Sequence, residues 1–113
     1  MVRIMSYRIE LNDVHRRKLS ACLRDVPFDS AKAFWVDLKR LFKVLAESPT
    51  EFGEAAYDFK HSKFQSRLGV RAFLSVQFAV SPDDELVVVQ LLTLCDNHPY
   101  PAEIEKIVNH EPF

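Results

Sequence analysis

The stretch from Arg71 to Cys95 constrains the fold more than any other part of the chain. Arg71 to Val80 alternates, with Ala72, Leu74, Val76, Phe78 and Val80 on one side and Arg71, Phe73, Ser75 and Gln77 on the other. A period of two marks a β-strand with one face buried. Ser81-Pro-Asp-Asp84 follows, a turn by its chemistry: proline presets one backbone angle and aspartate side chains bond back to local amides. Glu85 to Cys95 is then almost continuously apolar, the pattern of a central strand covered on both faces. A hairpin this apolar has to sit inside a layered sheet, so the residues before Arg71 must supply the covering elements.

They have the right patterns. Tyr7-Arg-Ile-Glu-Leu11 alternates as a half-buried strand. Asn12 or Asp13 can cap a helix reaching about Asp25, with Val14, Leu19, Cys22, Leu23 and Val26 as a narrow apolar stripe and Arg16, Arg17 and Lys18 as a basic cluster beside it. Pro27 ends it. Asp29 or Ser30 caps a second helix through about Glu47, where Ala31, Phe34, Trp35, Leu38, Leu41, Phe42 and Leu45 recur at three- and four-residue steps and read as core. Ser48 to Glu54 is a loop. Lys63 to Val70 is extended, with Phe64, Leu68 and Val70 on one face and Lys63, Gln65 and Arg67 on the other. The expectation is an α+β domain over residues 1–100: an N-terminal strand, two helices packed on a mostly antiparallel sheet of about four strands, and a short C-terminal helix in an acidic tail, residues 101–113. In that tail Ile104, Ile107 and Val108 share one side, which predicts docking on the domain's own sheet or on a second copy.

Composition narrows the function classes. The chain has 113 residues, 48% of them hydrophobic, and only two glycines, which excludes a disordered chain and a glycine-rich phosphate loop. No apolar run approaches the roughly 20 residues that cross a bilayer, and the first residues lack a secretory layout, so a cytoplasmic protein without a membrane partner is expected. Cys22 and Cys95 read as reduced core residues. Two lone cysteines and four scattered histidines have no zinc spacing, and no nucleophile motif is present, so neither a metal nor a nucleotide cofactor is expected. The formal net charge of -1 hides a split: residues 1–80 carry 14 Lys and Arg against 9 Asp and Glu, and residues 81–113 carry 1 against 7. A cationic body suits an anionic partner such as nucleic acid, and the acidic end could shield it.

The order of elements resembles the RelE/ParE superfamily of small bacterial type II toxins over about residues 7–100. The pieces that carry the likeness are the aromatic-rich helix ending in Leu45-Ala-Glu-Ser-Pro49, the loop Glu51-Phe-Gly-Glu54, Ser66-Arg67, the segment opened by Arg71, and the apolar last strand running into His98-Pro-Tyr100. The resemblance implies a toxin-like protein silenced by an antitoxin, and in the ribosome-dependent branch a metal-independent ribonuclease acting on mRNA. There a base takes the ribose 2′-hydroxyl proton, that oxygen attacks the adjacent phosphate, and cations stabilise the crowded phosphorane. By the same resemblance Arg71 and Arg67 match the strand arginines on the scissile phosphate, His98 and Tyr100 match a terminal acid/base pair, and Glu54 stands near a loop carboxylate. Lys60, His61 and Lys63 would add contacts to RNA.

Departures from the family pattern point the other way. Pro99 separates His98 from Tyr100, the strand from Leu86 to Cys95 has no arginine, and the chain is near neutral where such toxins are strongly basic. These favour a non-enzymatic protein-interaction module on the same fold that has lost nuclease activity. Each site residue also has a structural reading: Lys60, Lys63 and Arg67 as a solvated strand face, Arg71 as an ion-pair partner of Glu54 or Asp58, and His98 and Tyr100 as packing for the tail. Oligomeric state is not legible in the sequence.

Overall fold

The computed structural model describes residues 6–11, 16–17, 28–97, 99 and 100. They form a five-stranded sheet with one long helix across one face: β1 (Arg8–Glu10), α1 (Phe28–Glu47), β2 (Glu54–Asp58), β3 (Gln65–Arg71), β4 (Leu74–Ser81) and β5 (Leu86–Leu94). The strand order is β1-β5-β4-β3-β2. β1 runs parallel to β5, and every other pair is antiparallel. The α+β class and the mostly antiparallel sheet stand as expected. The strand count does not: β2 makes a fifth strand. Of the expected first helix, Arg16 and Arg17 are helical, and the rest lies outside the described residues, as does the tail.

α1 forms because its apolar residues fall on one face. Phe34, Leu38, Leu41 and Leu45 are fully buried against the sheet, each worth about 2 kcal/mol of transfer free energy before ordering entropy is subtracted. Pro49 follows its end, where the helix cannot continue. The Tyr7 amide donates to the Ala46 carbonyl at 2.7 Å, tying β1 to the helix C-terminus. The helix begins at Phe28, so Asp29 lies in its first turn, beside the positive end of the helix dipole, instead of preceding it as the cap. Trp35 also departs from expectation. It is 41% exposed, because it sits on the shoulder of the buried stripe, and the Lys39 ammonium lies 5.9 Å from its ring centre.

The hairpin β4–β5 is the centre of the core. Leu74, Val76, Phe78 and Val80 pair with Leu94, Leu92, Val89 and Val87, and all eight are buried under α1. The inward residues of β5 change parity between Val89 and Leu92 because the register shifts opposite Gln77 and Phe78, leaving Gln90 as the extra residue of a β-bulge. That bulge explains why β5 reads as one apolar run: its two halves present opposite parities to the same core. The other face of β5 is only half-buried at Leu86, Val88 and Leu91, so the strand is less covered than its composition suggests.

Two further expectations are corrected along β3. Arg71 closes β3 rather than opening β4, since it pairs with Leu74 across a two-residue turn. Ala72, expected to point inward, is in that turn with φ 55°. The faces of β3 are also inverted relative to hydrophobicity: Leu68 and Val70 are 51% and 60% exposed, whereas Arg67 and Gly69 on the opposite face are buried.

Candidate functional site

The inversion originates at the chain's two glycines. Gly53 has φ +72°, and a Cβ there would lie 2.1 Å from the Leu68 carbonyl oxygen, so only glycine lets the loop after α1 approach β3 this closely. A Cβ on Gly69 would lie 2.4 Å from the Phe52 ring. With no side chain at Gly69, Phe52 lies over β3 and stacks on Phe78, ring centres 6.1 Å apart and planes 19° apart. Phe52 therefore caps the helix-side face of β3 in place of a side chain from the strand itself.

Arg67 locks this arrangement. Its Nε donates to the Phe52 carbonyl at 3.2 Å, Nη2 to the Gly53 carbonyl at 3.1 Å, and Nη1 to Gln65 Oε1 at 2.9 Å. Gln65 Nε2 in turn donates to Asp58 Oδ1 at 3.1 Å, reaching β2. The residue is buried, at 9% exposure, and its fork is engaged with the chain's own acceptors on both sides. Three of its five N–H donors are so engaged, and the burial of the residue restricts the approach of a phosphate to the other two.

The remaining expected site residues separate into three places. Lys60, His61 and Lys63 are exposed in the turn between β2 and β3, where Lys63 Nζ lies 3.4 Å from Asp83 Oδ2 in an exposed pair. Arg71 is exposed at the opposite end of β3, about 20 Å along the strand. Glu54 opens β2 at that same end but pairs with Leu68, on the open face of the sheet, whereas Arg71 shares the helix-side face with Leu74. Tyr100 is buried, edge-on to Phe34 at 5.2 Å and to Phe73 at 6.1 Å. Its hydroxyl donates to Asp37 Oδ2 on α1. Burial first, then that hydrogen bond and the carboxylate's charge, push the phenol's pKa well above its ordinary value. Tyr100 stays protonated at neutral pH and acts as a donor held by the core. His98 lies outside the described residues. Arg67 and Tyr100 are thus built into the fold, while Arg71, Glu54 and the Lys60–Lys63 turn face solvent in different directions.

Sequence reasoning missed the open face of the sheet. Tyr57 (50% exposed), Leu68 and Val70 stand out from β2 and β3, and a cleft of ≈ 440 Å³ beside them is lined by Gly53, Glu54, Leu68, Gly69, Val70 and Ser75. Nearby, Ser66 Oγ donates to Gln90 Oε1 at 3.1 Å and accepts from Gln77 Nε2 at 3.4 Å, closing the polar groups between β3, β4 and β5. The strand β2 is a sheet edge with all five residues exposed. Such an edge carries backbone groups able to pair with another chain. The missed signal is the apolar parity of Leu68 and Val70 opposite the buried Arg67 and Gly69.

Among the described residues no group of three or more His, Cys, Asp or Glu is placed to hold a metal ion, and no helix is long and apolar enough to cross a membrane. Cys95 is a free, half-buried thiol; Cys22 lies outside the described residues.

No family model matches the chain, and no curated protein matches it. Among solved structures, it is similar to a chain of the RelBE2 toxin–antitoxin complex of Mycobacterium tuberculosis, with a TM-score of 0.50 and 15% sequence identity over 81% of this chain and 94% of that one. The likeness is one of fold: this α+β domain has the architecture of a component of a toxin–antitoxin complex.

Proposed function

We propose that this chain is the toxin-like member of a toxin–antitoxin type pair, and that it works as a protein-interaction module rather than by cutting RNA. The observation that carries this reading is the exposed apolar surface of Tyr57, Leu68 and Val70 beside the edge strand β2, whose outer side is unpaired among the described residues. Two aliphatic side chains lining a cleft, with the exposed Tyr57 ring on the neighbouring edge strand, suit a partner polypeptide that adds a strand and seats apolar anchors. The fold likeness to a component of a complex between two proteins supports a protein partner, of the antitoxin kind. The burial of Arg67, held by Phe52, Gly53 and Gln65, argues against its use on a phosphate.

Ribonuclease activity on mRNA, in the manner of the RelE/ParE toxins, is the second reading. Arg71 favours it, since its side chain is exposed at the end of the sheet where Glu54 also meets solvent. In that reading Arg71 would hold the phosphate, Tyr100 would be available only as an acid, and Lys60, His61 and Lys63 would follow an RNA or ribosomal backbone.

Induced expression with and without substitutions separates the two. The interaction reading expects growth arrest that survives Arg71→Ala, that the co-expressed product of an adjacent reading frame relieves in the wild type, and that it no longer relieves in the Leu68→Asp/Val70→Asp double variant, whose sites are exposed and tolerate the change. Arrest lost in a folded Arg71→Ala variant, with RNA cleavage by the wild type, establishes the ribonuclease reading instead. No arrest from soluble protein rejects the toxin-like role.

A further inference from the structure

The outer side of α1 carries a pattern that neither reading uses. Phe28, Lys32, Trp35, Lys39 and Lys43 follow one another along the helix at steps of about 4.5–6 Å and within about 80° of arc, from a rise of 1.5 Å and 3.6 residues per turn. All five are exposed, Phe28 at 78%. Phe28, Ala31, Lys32 and Trp35 line a cleft of ≈ 370 Å³, with the small Ala31 between the two aromatic rings. Within that arc the helix places no acid; Asp29 and Glu47 lie at its border.

We propose that this stripe binds single-stranded nucleic acid, with bases stacking on Phe28 and Trp35 and phosphates meeting Lys32, Lys39 and Lys43. The order of the side chains selects this ligand. An extended single strand presents flat bases and anionic phosphates in alternation, and proteins that bind it without sequence preference combine aromatic platforms with a line of cations. A membrane-surface helix, or one docking an acidic helix, separates its chemistry into an apolar seam flanked by charge. Here aromatic and cation share a single file. The Lys39 ammonium already lies 5.9 Å from the Trp35 ring centre, so a phosphate drawn to that lysine brings its base to the indole. The surface is on an element that carries none of the candidate site residues, and the inference does not depend on the proposed function.

Trp35 is the chain's single tryptophan, so intrinsic fluorescence reports from inside the stripe. Titrating the full chain with oligouridylate and oligodeoxyadenylate of about 12 nucleotides is expected to quench that emission saturably. Three phosphate contacts on a single strand give a log–log salt slope of about -2, a loss of about twentyfold in affinity between about 50 and about 200 mM salt. Lys32→Glu/Lys39→Glu should weaken binding at least tenfold with the circular-dichroism spectrum unchanged, and Arg71→Ala should leave it as it is, so the result stands apart from any test of the nuclease reading. Absence of quenching by either oligonucleotide overturns the proposal. So does quenching that the lysine variant retains, or that only phosphatidylglycerol vesicles or polyglutamate produce.

Discussion

Arg67 shows how far a residue's role depends on its neighbours. In the sequence it is one cation in a run from Lys60 to Arg71; in the fold it is a buried three-way donor that fastens the Phe52–Gly53 loop to β3. Hydrogen bonds from a charged donor are worth more than neutral ones, and these three are lost together with the packing of the Arg67 side chain. Arg67→Ala is expected to cost about 2–3 kcal/mol in denaturant unfolding, whereas Arg71→Ala, at an exposed position, should stay within about 0.5 kcal/mol. Equal effects would refute the assignment. Tyr100 makes a second residue-scale prediction. Its raised pKa means that the folded state keeps the phenolic proton after the unfolded chain has begun to lose it. Its contribution is therefore fully present below about pH 10, the unfolded phenol's pKa, and falls as the pH rises above that value. Tyr100→Phe should lower stability at neutral pH by about 1–2 kcal/mol, through loss of the bond to Asp37, and should flatten the decline in alkali relative to wild type, as read from urea midpoints across that range.

The elements divide by whether a buried face dictates their pattern. α1 and the hairpin β4–β5 were legible because Phe34, Leu38, Leu41 and Leu45, and the alternating residues of β4, record burial directly. β2 was not: Glu54-Ala-Ala-Tyr-Asp58 is exposed throughout, its register shifts between Ala55 and Tyr57, and its order comes from backbone pairing to β3. No hydrophobic period marks such an edge. The turn between β3 and β4 was hidden for another reason. Positive φ at Ala72, the first of two central residues, is the type II′ pattern that glycine ordinarily fills, and alanine there lets the alternation run through unbroken. Phe73 occupies the second position because it packs on Tyr100. Ala72→Gly should relieve the left-handed strain and raise stability by about 0.5–1 kcal/mol, seen as a higher Tm. A lower Tm would show that the turn is unstrained with alanine.

At the scale of the whole molecule, the sequence conveyed the class of fold, and the domain is similar in fold to a chain of a toxin–antitoxin complex. It did not convey how its cations are arranged. Residues adjacent along the run from Lys60 to Arg71 end up in a distal turn, in a buried network and at a solvent-exposed strand end, because a strand sends successive side chains to opposite faces and carries them along its length. The open face of β2 and β3 presents Tyr57, Leu68 and Val70 to solvent, the surface proposed to be covered by a partner protein. Amide hydrogen exchange of the full chain, alone and with the product of an adjacent reading frame, reads that coverage residue by residue. Protection on binding is expected at the edge strand Glu54–Asp58, whose outward backbone groups would gain partners, and at Leu68 and Val70 beneath the seated side chains. A complex that leaves those residues exchanging as in the free chain, and protects the turn around Arg71 instead, would contradict it.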